Sequence, residues 1–220
     1  MSRQLVIIGC GGFGREVFAL VKALIRAGEE WEVRGFVDDR PSVADLGRVA
    51  DLGAKVIGTV RELALDGESI AAVIAVGSPA TRAAIAEHLG SSRLDYPVLV
   101  HPDATIGAAV RLGPGTVVAA GARLSTNILV GRHVHIDQNA AVGHDSKLGD
   151  FSRLNPQACV SGAVIIGTGA LVGANATILQ GLSIGDGATV DAGSCVVKDV
   201  PDDVIVKGVP ARCNSSSAGG

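Results

Sequence analysis

From Val100 to Pro201 the chain divides into seventeen consecutive hexads without insertion, beginning VHPDAT, IGAAVR, LGPGTV and VAAGAR. Position one is Val, Ile or Leu in all seventeen, and position five is Ala, Ser, Thr or Val in fifteen, with Ile128 and Leu182 the exceptions. Position four is Gly, Asn or Asp in twelve, the residues that tolerate left-handed backbone at a turn. A repeat of this length cannot build an ordinary layered core and must stack on itself. Three hexads make one triangular coil, with aliphatic side chains inward and small residues at the corners. At strand spacing, nearly six coils give a prism about 27 Å tall. The 30 glycines and 3% aromatic residues agree with a core of Val, Ile, Leu and Ala and with many turns at positive φ.

Before residue 98 the pattern changes. Apolar runs at Leu5 to Ile8, Val33 to Val37 and Ile70 to Val76 alternate with helical patterns at about Gly14 to Ala27 and Pro79 to Leu89. That order predicts a parallel sheet with covering helices, and at under 100 residues it is about half of a dinucleotide-binding fold. Straight after the first strand comes Gly9-Cys10-Gly11-Gly12-Phe13-Gly14-Arg15-Glu16. This is GxGxxG in the strand-loop-helix context that gives it meaning, glycines letting a phosphate approach the amides of a helix N-terminus. Asp38 and Asp39 end the second strand, where a carboxylate accepts from a ribose hydroxyl or a base edge, and Gly77-Ser78 end the strand from Ile70 on the same sheet edge. The alternative is a structural glycine turn with solvated aspartates.

Other classes are disfavoured. A net charge of −3 with no basic stripe gives nucleic acid or a membrane surface no footing. Met1 to Gln4 followed by Leu5-Val6-Ile7-Ile8-Gly9 is too short and too soon interrupted for a signal peptide, and no run reaches a spanning length, so a cytoplasmic location is expected. Cys10, Cys159, Cys195 and Cys213 are widely spaced, so neither a disulfide framework nor a metal site is expected.

The uninterrupted hexads resemble the left-handed parallel β-helix acyltransferases, and Val200-Pro201 through Gly208-Val209-Pro210-Ala211-Arg212 resembles their exit from the helix. With an α/β half-Rossmann domain in front, the chain is similar to the sialic acid O-acetyltransferase-like group, which includes bacterial nucleotide-sugar N-acetyltransferases such as those acting on perosamine. The expected domains are 1–98 for nucleotide-sugar binding, 99–212 for acetyl transfer and a disordered tail at 213–220. The resemblance implies acetyl-CoA as co-substrate, no metal, a nucleotide-linked amino sugar as acceptor, and a homotrimer with active sites between subunits.

Within the repeat, Gly143-His144-Asp145-Ser146 puts an imidazole beside a carboxylate at hexad positions three and four, a corner where side chains leave the coil. One coil later the same column holds Gly162. That arrangement leaves room for a thioester beside His144, and the Gly162 amide is placed to donate to its oxygen. The resemblance likewise implies that His144 is the general base and Gly162 an oxyanion contact, with Asp145 or another carboxylate fixing the imidazole. Coenzyme A needs a groove with exposed amides and positive charge for its phosphates, for which Arg153, Gly162, Gln180, Gly181, Lys207 and Arg212 are the candidates. Some relatives carry a second histidine where Arg153 stands, and relatives often carry asparagine where Asp137 stands. Arg153 is therefore an electrostatic substitute or an exposed cation, and Asp137 a carboxylate for His144 or for the substrate amine. The bland reading of His144 is a solvated corner. His133 and His135 lack a third metal ligand and are expected at the surface or a subunit interface.

Two function classes stay open. One is an acetyltransferase acting on the 4-amino group of a nucleotide-linked 4-amino-4,6-dideoxysugar (a GDP- or UDP-linked one), with O-acetylation of a sialic-acid-like sugar as its rival. The other is a trimeric module that senses NAD or a nucleotide.

Overall fold

The structure is a computed structural model describing residues 2–65, 70–90 and 93–213. The chain separates into two compact units, Met1–Pro102 and Asp103–Gly220.

The first unit runs β1 (Arg3–Ile8), α1 (Gly12–Arg26), β2 (Trp31–Val37), α2 (Val43–Asp51), β3 (Val56–Gly58), α3 (Val60–Leu65), β4 (Ala71–Ile74) and α4 (Pro79–His88). The four strands form one parallel sheet in the order β3-β2-β1-β4. Val6, Ile8, Val37, Ala72 and Ile74 of the strands pack with Val60, Leu63, Ile70 and Leu89 into one core cluster, each large aliphatic side chain contributing about 1.5–3 kcal/mol when fully buried. Helix α1 approaches β1 closely because residue 14 has no side chain. A Cβ there would run into the Gly9 carbonyl. Ser42 and Ser78 cap α2 and α4, accepting from the Asp45 and Thr81 amides at 3.0 and 3.3 Å, and Pro79 opens α4 where its missing N–H costs nothing. The sequence pattern omitted α2, β3 and α3. Val49 is the one buried residue of α2, Val43 is 88% exposed, and β3 has three residues, so none carries a periodic signal.

The second unit is the left-handed parallel β-helix that the hexads predict. Two-residue strands stack at an eighteen-residue interval, as in Arg123–Leu124, Ala141–Val142, Cys159–Val160, Thr177–Ile178 and Cys195–Val196 on one face. Positions one and five line the interior: Val142, Leu148, Leu154 and Ile166 are at most 2% exposed, and Ala140, Ala158, Ala170 and Ala176 are fully buried. Every fourth position from Ala109 to Gly193 has positive φ, including Ala109, His133, Phe151, Gln157 and Ala163 as well as the expected Gly, Asn and Asp. The coil imposes the turn even on residues that resist it locally, at about 1–2 kcal/mol for an ordinary side chain. The last hexad does not keep the period. Ile184 bridges Val200 and Val190 pairs with Val206, an interval of sixteen residues, so the final coil is two residues shorter than the repeat predicts. Ile205–Lys207 then pairs with an antiparallel strand, Arg212–Cys213. Cys213, assigned above to the disordered tail, is thus part of a strand, and the rest of that tail, 214–220, lies outside the described residues.

Candidate active site

The corner at 143–146 joins the strands Ala141–Val142 and Lys147–Leu148. His144 and Asp145 leave it side by side, with side chains 61% and 52% exposed, and imidazole Nδ1 lies 2.7 Å from Asp145 Oδ2. Each coil on either side holds the corner. In the coil before, Thr126 C=O accepts the Asp145 amide at 3.1 Å, and Asn127 Nδ2 donates to Asp145 Oδ1 at 2.6 Å. In the coil after, the Ala163 amide donates to the His144 carbonyl at 2.7 Å. Beneath the corner, buried Ser146 Oγ donates to Ser161 C=O at 3.2 Å and accepts from the Val164 amide at 3.3 Å.

The imidazole lies over Gly162. A Cβ on that residue would be 2.5 Å from Nε2 and 2.6 Å from Cε1. The histidine ring itself occupies the space that a side chain on residue 162 would take. The Gly162 N–H has no acceptor among the described residues.

A carboxylate only accepts, so the Nδ1 facing Asp145 carries the proton, and in the neutral imidazole that leaves the lone pair on Nε2. The Asn127 hydrogen bond, and after it the bond to His144, hold the Asp145 carboxyl below its ordinary value. An ionised partner at Nδ1 and a free Nε2 together make a proton acceptor whose charged form is stabilised as it forms.

Asp137 takes no part in this. It lies on the preceding corner of the same coil, is 1% exposed, and its Oδ2 accepts from Arg153 Nε and Nη2 at 3.0 and 2.8 Å. The ion pair removes one alternative for each: Asp137 does not reach His144, and Arg153, its side chain 16% exposed, is not an exposed cation. His133 and His135, expected at the surface or an interface, are buried at 3% and 0% exposure. The His133 ring stacks on Phe151 at 5.3 Å, and His135 pairs with Arg153 in the strand register. Gln180 and Gly181 occupy the corner one coil beyond Gly162, exposed, with open space where a Gly181 side chain would be. Lys207 and Arg212 face each other across the terminal antiparallel pair, both exposed. Two like charges side by side form a local cationic spot suited to phosphate. Among the described residues no group of three or more His, Cys, Asp or Glu could hold a metal ion, and no helix is long and apolar enough to cross a membrane.

In the first unit a cleft of about 380 Å³ opens at the carboxyl ends of β1 and β2, lined by Gly9, Asp38, Asp39, Arg40, Val60, Val76, Thr81 and Ile85 among others. Above Gly11 and Gly12, at the N-terminus of α1, the space a side chain would enter is open. No side chain caps that terminus and no acid occupies its first turn, so its amides remain suited to an anion. Other predicted residues have structural partners. Asp38 accepts from the Cys10 and Arg40 amides, both at 2.9 Å, and Asp39 from the Val60 amide at 2.8 Å. Each keeps acceptor capacity for a ligand. Arg15 bonds the Cys10 carbonyl and Asp45 at 2.8 and 2.7 Å, bracing the glycine loop. Phe13 is half-buried in the first turn of α1, Ser78 caps α4, and Arg82, fully buried, donates to the Val76 and Gly77 carbonyls at 2.7 and 3.4 Å. Arg40, Thr81, Arg82 and Asn127 were not singled out from the sequence. Asn127 alone had a signal, lying one eighteen-residue coil before Asp145.

Residues 4–89 match the family described as the PglD N-terminal domain, and residues 163–198 match the hexapeptide repeat of succinyl-transferase. The chain is 34% identical over 119 residues to UDP-N-acetylbacillosamine N-acetyltransferase of Bacillus subtilis, an alignment spanning 54% of this chain and about half, 52%, of that one. It is similar to the acetyltransferase domain of PglB from Neisseria gonorrhoeae in complex with acetyl coenzyme A, with a TM-score of 0.84 and 34% identity over 97% of this chain and 100% of that one. It is also similar to PerB of Caulobacter crescentus in complex with CoA and GDP-perosamine, with a TM-score of 0.84 and 31% identity over 96% of this chain and 97% of that one. The Caulobacter protein has also been crystallised with both ligands after replacement of one histidine by asparagine or alanine. By its two-domain architecture and by identity over nearly its whole length, the chain belongs to the PglD-type family of left-handed β-helix nucleotide-sugar N-acetyltransferases.

Proposed function

We propose that the protein transfers an acetyl group from acetyl-CoA to the 4-amino group of a nucleotide-linked 4-amino-4,6-dideoxysugar, with His144 as general base. The observation that carries this reading is the imidazole held by Asp145 through Nδ1, with Nε2 free, directly over the bare Gly162. Acetyl-CoA supplies the activated carbonyl. A sugar amine arrives largely as ammonium and must lose a proton to become nucleophilic, and imidazole is the side chain whose ordinary pKa suits that task near pH 7. One proton leaves the ammonium to solvent before attack, and His144 Nε2 accepts a second as the amine nitrogen bonds to the thioester carbon. The C–S bond then breaks, and the imidazolium returns a proton to the departing thiolate. Asp145 stabilises the imidazolium meanwhile, and the Gly162 N–H is available to an oxygen gaining negative charge. In the first unit, the open helix terminus above Gly11 and Gly12 takes the diphosphate, and Asp38, Asp39 and Arg40 at the cleft face the nucleoside. Gln180, Gly181, Lys207 and Arg212 serve the coenzyme.

The assembly in this reading is a homotrimer with the coenzyme groove between subunits, acting in the cytoplasm, a reducing compartment that suits four free cysteines. Light scattering should give three times the 22.1 kDa chain mass; a monomer at working concentration overturns the trimer.

The activity is tested by incubating the purified protein with acetyl-CoA and, separately, GDP-perosamine, a UDP-linked 4-amino sugar and a CMP-linked sialic acid, with products read by mass spectrometry. Acetylation of an amino sugar and not of the sialic acid supports the reading. Acetylation of the sialic acid alone favours the O-transferase, and turnover of none, with NAD raising the melting temperature, favours a sensing module.

A further inference from the structure

We propose that Asn127 is a positioning residue of this site, its side-chain amide holding one oxygen of Asp145 so that the other locks His144 as the Nδ1–H tautomer. The inference rests on the reading of His144 as base. Asn127 and Asp145 occupy the same left-handed corner in successive coils, at φ 55° and 61°, and are joined at 2.6 Å. The opposite carboxylate oxygen meets His144 Nδ1 at 2.7 Å, so amide, carboxylate and imidazole form one chain of hydrogen bonds.

An Asp carboxylate on an exposed corner turns readily about its broad terminal torsion and exchanges partners with water. Asp145, at 52% exposure, is such a group unless its second oxygen is held. The amide holds it without adding charge, and asparagine is among the few side chains that accept the left-handed backbone there. The bond is not a ladder that the β-helix repeats for its own stability. The corners immediately before and after in the column are Ala109 and Ala163, which have no side chain to make it. Between these three neighbouring steps of the column, only the one that reaches the histidine's corner carries it. The depressed titration of Asp145, to which the Asn127 bond contributes most, agrees with a carboxylate held ionised.

The test uses Asn127→Gly, which keeps the backbone conformation and deletes the amide, and Asn127→Asp, which keeps the shape and adds a second carboxylate. In protein labelled with 15N-histidine, the His144 signal, assigned by its loss in His144→Asn, should report a predominantly Nδ1–H imidazole in the wild type and a tautomer mixture in Asn127→Gly. The same variant should lose about 10- to 100-fold in kcat, with the KM for acetyl-CoA little changed, because uniform binding is not what it removes. Asn127→Asp should move the acidic limb of the kcat profile to higher pH, because two carboxylates stabilise the imidazolium. An unchanged tautomer in correctly folded Asn127→Gly overturns the proposal. A changed tautomer with unchanged kcat supports the positioning contact and removes instead the reading of His144 as base.

Discussion

The imidazole of His144 stands where a side chain on residue 162 would begin: a Cβ on Gly162 would lie 2.5 Å from Nε2. The histidine therefore keeps its place only while the next coil offers a bare backbone. Gly162→Ala should leave the β-helix folded, since φ at that position lies outside the left-handed region, yet push the ring off its position. We expect kcat to fall at least about tenfold while melting temperature changes little, because a misplaced base forfeits near-attack geometry. Full activity in Gly162→Ala would mean that the ring works elsewhere.

His144→Asn keeps the size and polarity of the corner and removes the base. Both substrates should still bind, and kcat should fall by about 10² to 10⁴, with residual activity rising with pH as free amine accumulates. Asp145→Asn should cost less, because it removes an orienting charge and leaves the imidazole. Asp145 titrates below an ordinary aspartate, so its support for His144 is present above the ordinary carboxylate range and is lost only as pH falls through that depressed value. Carboxyl 13C titration checks this: a midpoint at or above that of an ordinary aspartate contradicts the hydrogen-bonded chain.

The glycine loop separates folding from binding. Gly14 packs against the Gly9 carbonyl, so Gly14→Val should destabilise the first unit by about 1–3 kcal/mol through overpacking. Gly11 faces open space, so Gly11→Val should fold normally and raise the KM for the nucleotide sugar, with acetyl-CoA binding kept. Calorimetric titration with each ligand distinguishes the two; loss of acetyl-CoA binding in Gly11→Val would contradict the assignment.

Cys10 lies in that loop, 1% exposed, with its thiol pushed up to about 12 by burial and then by the neighbouring Asp38. The raised value means that the thiol's contribution to stability is complete below pH 9.0 and is lost as pH rises toward 12. At pH 8 iodoacetamide should label exposed Cys159 and Cys213 in the native protein and leave Cys10 unmodified until denaturation. Mass spectrometry of the labelled peptides reads the result, and rapid native labelling of Cys10 would show that the loop opens.

A strict six-residue period has one compact solution, and hence the sequence by itself determined the β-helix, the corners at position four and the column that brings His144 beside Asp145 and over Gly162. The alternation of apolar runs with helical patterns likewise determined the parallel sheet and the glycine loop at its edge. Periodicity does not say which way a side chain turns at its corner. Only the tertiary structure decided that Asp137 and Arg153 neutralise each other beside buried His135, that the His144 ring fills the space above Gly162, and that Asn127 reaches one coil forward to Asp145. Each of these is a choice among rotamers that the repeat permits equally. Partners sixteen to eighteen residues apart make that choice, and they become neighbours only when the coils stack.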